Sequence, residues 1–324
     1  LVTESDFGPE NSFYILFKGR VMPLLATEAA LLSNNQLISG VIDEIIDRDD
    51  MFAVLPFVKT VGKAYVYNRE NSIGSADWLS PNDAVNESSA NFTEVVASLK
   101  ILAGDVDIDK FLSSTMSDSN DQVAIQIAKK AKTVGREFHR ALANGDSAVN
   151  TKQFDGIVKI ASTLEASQHT SAGVNGNALT LTMMDELCDA IPNGADVLVM
   201  RRGTIRAYRA LLRATYGTDA IMQMMENFGR PMLTHNGIPI LMNEFLPGDE
   251  TQGTNVATCS VFAVRMNELD GLHGLWGGEN AGIVVENIGT VQNKDATRIR
   301  LKWYTGLALK STRSLAVCKG VTNI

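Results

Sequence analysis

Between Asn120 and Asp146 apolar residues return at steps of three and four: Val123, Ile127, Ala131, Val134, Phe138 and Leu142. That period places one apolar stripe along a helix. Lys129, Lys132, Arg136 and Arg140 repeat at the same spacing on a different face. Ser119 or Asn120 can cap the start, and Asn144-Gly145 reads as a left-handed stop. Roughly 24 residues at about 1.5 Å each predict a rod of about 36 Å, long enough to act as a spine for other elements. Phe154-Asp155-Gly156-Ile157 follows, an apolar pair around a turn glycine, and then a short amphipathic run, Ile157–Leu164.

Upstream, residues 1–23 are broken by Gly8-Pro9 and Gly19 and read as an extended arm. Ala26–Asp47 is helical in pattern, with a stripe of Leu37, Ile38, Val41, Ile42, Ile45 and Ile46. Phe52–Lys59 and Lys63–Asn68 are strand-like, and Thr93–Leu102 alternates well enough to be a returning strand. The polar stretch between them carries only Ile73, Trp78, Leu79 and Val85 as larger apolar residues. A hairpin with so little core is not stable alone. A loop of that length normally serves a function, here contact with another chain.

Asp107–Ser114 is expected to be a short helix, and Glu165–Asn177 a connection between subdomains. Thr180 or Thr182 caps a helix through Ile191 that buries Met183, Met184, Leu187 and Ile191. Asp196–Met200 reads as a core strand and Gly203–Thr215 as a helix with Ile205, Tyr208, Leu211 and Leu212 on its apolar face. Gly237–Phe245, Cys259–Met266, Gly282–Ile288, Thr297–Thr305, Leu307–Ser311 and Ser314–Lys319 read as strands. Helices and strands interleave without a regular βαβ period, so the fold class is α+β.

Composition narrows the class. A chain of 324 residues, 45% hydrophobic and 20% charged, is an ordinary globular sequence with room for two subdomains. No apolar run approaches the roughly 20 residues that span a bilayer, so no membrane association is expected. The N-terminus lacks the basic and apolar regions of a secretory signal. It also lacks an initiator Met, which suits trimming or proteolytic removal of an upstream segment. Cys188, Cys259 and Cys318 are isolated and odd in number, which argues against a disulfide framework or zinc site and for a reducing compartment. The sequons at Asn86 and Asn91 then carry no weight. Net charge is −8, and residues 1–119 hold 18 acidic and 8 basic side chains. A sequence-independent DNA binder needs the opposite sign.

Candidate chemistry is sparse. The glycine-rich stretch Gly271–Gly282 lacks the GxxxxGK[ST] pattern and the helix that a phosphate cradle needs, and reads as a packed or intersubunit turn. His139, His169, His235 and His273 are far apart in sequence, with no ligand spacing among them. No GxSxG, HExxH or Cys–His signature appears. Arg202, Arg206, Arg209 and Arg213 form a stripe on one helix that could touch nucleic acid, but no interleaved aromatics support base stacking. Such a stripe is more often a solvated face, and the same holds for the spine's basic stripe. No catalytic, cofactor-binding or metal-ligating residue is assigned.

The order of these parts resembles the major capsid protein of tailed bacteriophages, the fold named after Hong Kong phage ninety-seven and shared with encapsulins. The residues that carry the resemblance are the polar hairpin Lys63–Leu102, the spine ending in Ala143-Asn144-Gly145-Asp146, and Phe154-Asp155-Gly156-Ile157. They are joined by the helix Met183–Ile191 before Asp196–Met200, by Gly237-Ile238-Pro239-Ile240 leading to Phe245-Leu246-Pro247, and by the closing strands Thr297–Lys319. The resemblance implies an N-terminal arm and helix over 1–59 and an E-loop hairpin over 60–102. It implies a P-domain over 103–172 and 289–311, and an A-domain over 173–288 with a closing strand at 312–324. It implies a non-enzymatic chain that assembles as homo-pentamers and homo-hexamers into an icosahedral shell. The shell would enclose double-stranded phage DNA without sequence-specific binding, in a virion assembled in the host cytoplasm. Portal, scaffold, protease and cement proteins would be its other partners. An encapsulin shell around a cargo enzyme is the nearest alternative; an enzyme using the 271–282 loop and a DNA-binding regulator using the arginine stripe are the others. Some members of the fold weld subunits by an isopeptide bond from an E-loop lysine. Here the tip Asn68–Thr93 has no lysine, which implies a non-covalent shell.

Overall fold

The computed structural model describes residues 50–110, 122–216, 222–224, 231–279, 282–292 and 294–322. The expected arm and the helix Ala26–Asp47 lie outside the described residues. So do the Ser119/Asn120 cap and the end of the expected helix Asp107–Ser114.

The first strands are β1 (Phe57–Lys59), β2 (Ala64–Ser72), β3 (Asn91–Ser98) and β4 (Lys100–Asp109). Phe52–Pro56, expected as strand, begins in a turn closed by the Met51 carbonyl, which accepts from the amides of Val54 and Leu55. The single returning strand Thr93–Leu102 is two strands broken at Leu99: among the described residues β3 pairs with β2 alone, and β4 belongs to another sheet. Asp107–Asp109 are strand, not helix. Asp105-Val106-Asp107-Ile108 alternates polar and apolar, and Asp105 and Asp107 face Arg300 and Arg298 across the pair, a period that overrides any local helix tendency.

The spine is α1 (Gln122–Asn144), and its expected face holds: Ile127, Ala131, Val134, Phe138 and Leu142 are buried. Its end differs from expectation. Neither Asn144 nor Gly145 is left-handed. A Cβ on Gly145 would lie 2.4 Å from the Phe154 carbonyl oxygen, and one on Gly156 would lie 2.5 Å from that of Ala141. The two glycines therefore let the chain cross the spine's C-terminus at backbone contact, with the Gly156 amide donating to the Gly145 carbonyl at 2.9 Å. Then α2 (Ile157–Ser162) packs back on α1.

The expected connection Glu165–Asn177 is partly structured, with a 3₁₀ turn at Ala166–Gln168 and an edge strand, β5 (His169–Ser171). Next come α3 (Leu181–Asp189), β6 (Val197–Met200) and α4 (Arg202–Tyr216). Thr180 caps α3, its hydroxyl accepting from the Met183 amide. Strands β7 (Met222–Met224), β8 (Pro231–His235) and β9 (Ile238–Met242) follow. Of these only β9 was expected. The signal for β8 was present in Asn236-Gly237, whose φ values of 49° and 84° make the tight turn such dipeptides favour.

The remaining strands are β10 (Glu250–Gln252), β11 (Asn255–Val264), β12 (Leu272–Trp276), β13 (Val284–Thr290), β14 (Ala296–Leu309) and β15 (Leu315–Val321). Leu272–Trp276, within the glycine-rich stretch, is thus strand and not turn. Leu272–Leu275 are buried, pairing with β1 and β14, and the glycines had masked that strand in the sequence. Thr297–Thr305 and Leu307–Ser311 fuse into the single strand β14, with Gly306 inside it.

Two main sheets result among the described residues. In the first, β14 runs beside β4 on one side and beside β13 and β12 on the other. The spine lies on this sheet: a Cβ on Gly104 would meet the Lys130 side chain at 2.5 Å. Phe138 and Trp303 sit at the junction, ring centroids 4.4 Å apart, with Phe52, Phe57 and Phe154 around them. The second sheet runs β5-β15-β11-β6-β9-β8-β7, with β10 on β11. Every residue of β6 is buried, and Met184, Leu187, Tyr208 and Leu212 from α3 and α4 share its core.

Candidate functional site

The residues with chemistry are dispersed. His139 stacks on Phe245, ring centroids 6.2 Å apart, inside the aromatic core. His169 approaches the Leu164 carbonyl at 3.3 Å. His273 is fully buried under the hairpin strands. His235 sits in a relay: Nε2 donates to Asp185 at 2.9 Å, and Nδ1 accepts the Tyr208 hydroxyl at 2.8 Å. An Asp–His–hydroxyl chain has the connectivity of a nucleophile and its base. Here, however, Tyr208 is 1% exposed, so its oxygen is closed to substrate, and the relay ties α3, α4 and β8 together. Among the described residues, no cluster of His, Cys, Asp and Glu could hold a metal ion.

The cysteines are free, and burial pushes the Cys188 and Cys318 thiols up to about 11, away from the thiolate form. Arg202, Arg206, Arg209 and Arg213 line an open groove of about 600 Å³ with Met232, Leu233, Ile240 and Met242. Arg202 pairs with Glu244 at 3.2 Å. On the spine Lys129, Arg136 and Arg140 face solvent, and Arg140 pairs with Glu137. The two basic stripes lie on different elements, α1 and α4. The outer face of the first sheet carries a ladder of ion pairs. Arg298 grips Asp107 through two bonds of 2.6 and 2.8 Å, Arg300 grips Asp105 at 2.7 and 2.8 Å, and Lys302 meets Glu286 at 2.6 Å.

The unusual surface is the β2–β3 hairpin. Residues 73–90 form its tip, where Ile73 and Val85 are about four-fifths exposed and Trp78 is wholly exposed. Val66, Phe92 and Val96 continue the apolar exposure along the two strands. Burying a side chain such as Ile73 or Val85 contributes roughly 1.5–3 kcal/mol. A solvated arm with several of these is a surface built for a partner. Its acidic residues, Asp77, Asp83 and Glu87, stand without a lysine or arginine in the tip. The sequence located this hairpin but not its inner face, where Tyr65, Tyr67 and Arg69 meet the body of the subunit.

No protein-family model matches the chain, and no curated protein matches its sequence. Solved structures do. The holo-SrpI encapsulin complex of Synechococcus elongatus is similar over 84% of this chain and 87% of that one, with 18% identity and a TM-score of 0.67. The capsid of a native GTA particle covers 84% and 90%, with 14% identity and a TM-score of 0.61. The capsid of cyanophage A-1(L) covers 84% and 92%, also with 14% identity and a TM-score of 0.61. The chain has the α+β fold of these shells, the one named after Hong Kong phage ninety-seven.

Proposed function

We propose that this chain is a structural shell subunit, the major capsid protein of a tailed phage, which closes as pentamers and hexamers into an icosahedral container for DNA. The observation that carries the reading is the hairpin. Ile73, Trp78, Val85 and Phe92 stand in water on an arm with no core of its own, and a neighbouring copy in a shell is the partner that would cover them. The fold supports it, since phage capsids share it. In this reading 1–59 is the arm, 60–102 the E-loop, 103–172 with 289–311 the P-domain, and 173–288 with 312–324 the A-domain. The role is architectural rather than catalytic, in keeping with a relay whose hydroxyl is sealed. The negative balance of the chain suits a wall that encloses nucleic acid without gripping it. Portal, scaffold, protease and cement proteins are the remaining partners of the assembled virion.

A second reading, an encapsulin-type compartment around a cargo enzyme, is favoured by the overlay on the Synechococcus elongatus encapsulin. Electron microscopy of the purified protein tests the common part: closed shells are expected, and subunits that stay dispersed at every concentration and salt would overturn it. The contents separate the two readings. Nuclease-protected DNA in the shells supports the capsid, and a co-purifying enzyme without nucleic acid supports the compartment.

A further inference from the structure

Strand β4 follows β14 only as far as the Lys100–Thr305 pair, because the chain leaves the sheet at Leu99 to enter the hairpin. The far end of β14 keeps β12 on one side. At this end the carbonyls of Leu309 and Lys310 accept from side chains of the hairpin instead. The Tyr67 hydroxyl donates to Leu309 at 2.6 Å, and Arg69 donates from Nη2 to Leu309 and from Nε to Lys310, both at 2.8 Å. Tyr65 lies on the same face of β2, its ring edge-on to His273 at 5.7 Å, with the Lys310 ammonium 5.6 Å from its centroid. Val66 points the other way, into solvent. These side-chain ties between the hairpin and its own subunit all come from one face of β2, while the base of β3 passes close to β14 at Gly306.

His273 lies directly beneath that face and has no exposed surface. Its Nδ1 sits 3.3 Å from the Gly271 carbonyl, so that nitrogen carries the proton and donates. The other nitrogen, Nε2, has no hydrogen-bond partner. We propose that Tyr65, Tyr67 and Arg69 form a releasable latch that sets the hairpin's angle to its own subunit, and that protonation of His273 opens the latch in acid.

A second proton would create a buried imidazolium whose new N–H finds no acceptor. The groups that face it are Tyr65 from the hairpin, Lys310 from the end of β14, and Glu268 with the Gly271 carbonyl from its own segment. Burial, and after it the charge of Lys310, holds the imidazole below its ordinary range; the Gly271 carbonyl and Glu268 act the other way without cancelling them. The latched state thus binds fewer protons than the open one. Its stability is complete above the free histidine value of about 6.5 and is lost as pH falls below it. This device belongs to the single chain and does not depend on whether the subunit builds shells.

Hydrogen–deuterium exchange of unassembled full-length subunits, corrected for the intrinsic effect of pH, tests it. Amides of β2 and β3 should lose protection about tenfold per pH unit below about 6.5 until the buried imidazole itself titrates, while α1 stays protected. His273→Gln, which stays neutral, should abolish that acid response. Tyr67→Phe combined with Arg69→Gln should expose the hairpin at every pH. A flat profile for the wild-type hairpin from about pH 8 to about pH 5 would overturn the proposal. So would an acid response that persists in His273→Gln, or full protection in the double variant. If His273→Gln does not fold, the ¹³C shift of the His273 imidazole in the wild-type chain decides. A midpoint matching the loss of hairpin protection supports the switch, and a mismatch refutes it.

Discussion

Phe138 is the residue on which the spine's attachment depends. It is 1% exposed, 4.4 Å from the Trp303 ring and in contact with Phe52, Phe57 and Phe154. Phe138→Ala should cost roughly 3–5 kcal/mol in urea unfolding, because these aromatic neighbours on separate elements cannot all collapse into the space left. A loss within about 0.5 kcal/mol would mean that the site behaves as surface. The solvent face of the same sheet responds to pH instead. Side-chain hydrogen bonds from Arg300 and Arg298 hold the Asp105 and Asp107 carboxyls below the usual carboxylate range. Carboxyls with depressed values stabilise the fold above their unfolded pKa of about 3.9, and that contribution is lost as pH falls through the native values. Replacing both by asparagine should therefore flatten the acid limb of the stability curve below about pH 4, and an unchanged limb would show that the ladder contributes nothing.

At the scale of elements, the hairpin is the part whose removal separates folding from assembly. The tip touches no core, so deleting Ile73–Val85 should leave a subunit with native unfolding behaviour that no longer sediments as closed particles. Normal particles from the deletion variant would refute the assembly role. The hairpin, the spine and the helix capped by Thr180 were legible because each writes its period over several turns or a long polar gap. The rest was hidden for physical reasons. Gly271, Gly274 and Gly277 disguised a buried strand as a loop. Gly145 and Gly156 carry no mark that tells close backbone approach from a left-handed turn. Leu99, the residue at which a returning strand changes sheets, continues the apolar–polar alternation of Ala97-Ser98-Leu99-Lys100-Ile101, so local pattern could not place the break. The latch was equally invisible: Tyr67 and Arg69 bind backbone carbonyls some 240 positions away, and carbonyls have no signature in a sequence.

For the whole molecule the remaining question is how copies of the chain would hold together. A covalent weld of the isopeptide kind needs an uncharged amine that reaches a neighbour and is desolvated there. The extended tip, residues 73–90, has no lysine, and Arg69 at its edge is no nucleophile and is already bound to Leu309 and Lys310. The lysines at the hairpin base are placed differently. Lys100 donates to the Thr151 carbonyl at 2.8 Å, and the Lys59 ammonium lies 5.2 Å from the centre of the Trp276 ring, so both are engaged within their own subunit. Lys63 is exposed just before β2, where the strand leaves the body, with the whole of Ala64–Ser72 between it and the tip. With no amine at the reaching end, adhesion in such a shell is expected to be non-covalent, from packing, the N-terminal arm or a separate cement protein. Boiling assembled particles in SDS should release one band near the 35.1 kDa chain mass. A ladder of heavier bands that survives boiling and reductant would refute this, and mass spectrometry of the cross-linked peptides would identify the lysine responsible, with Lys63 the first to inspect.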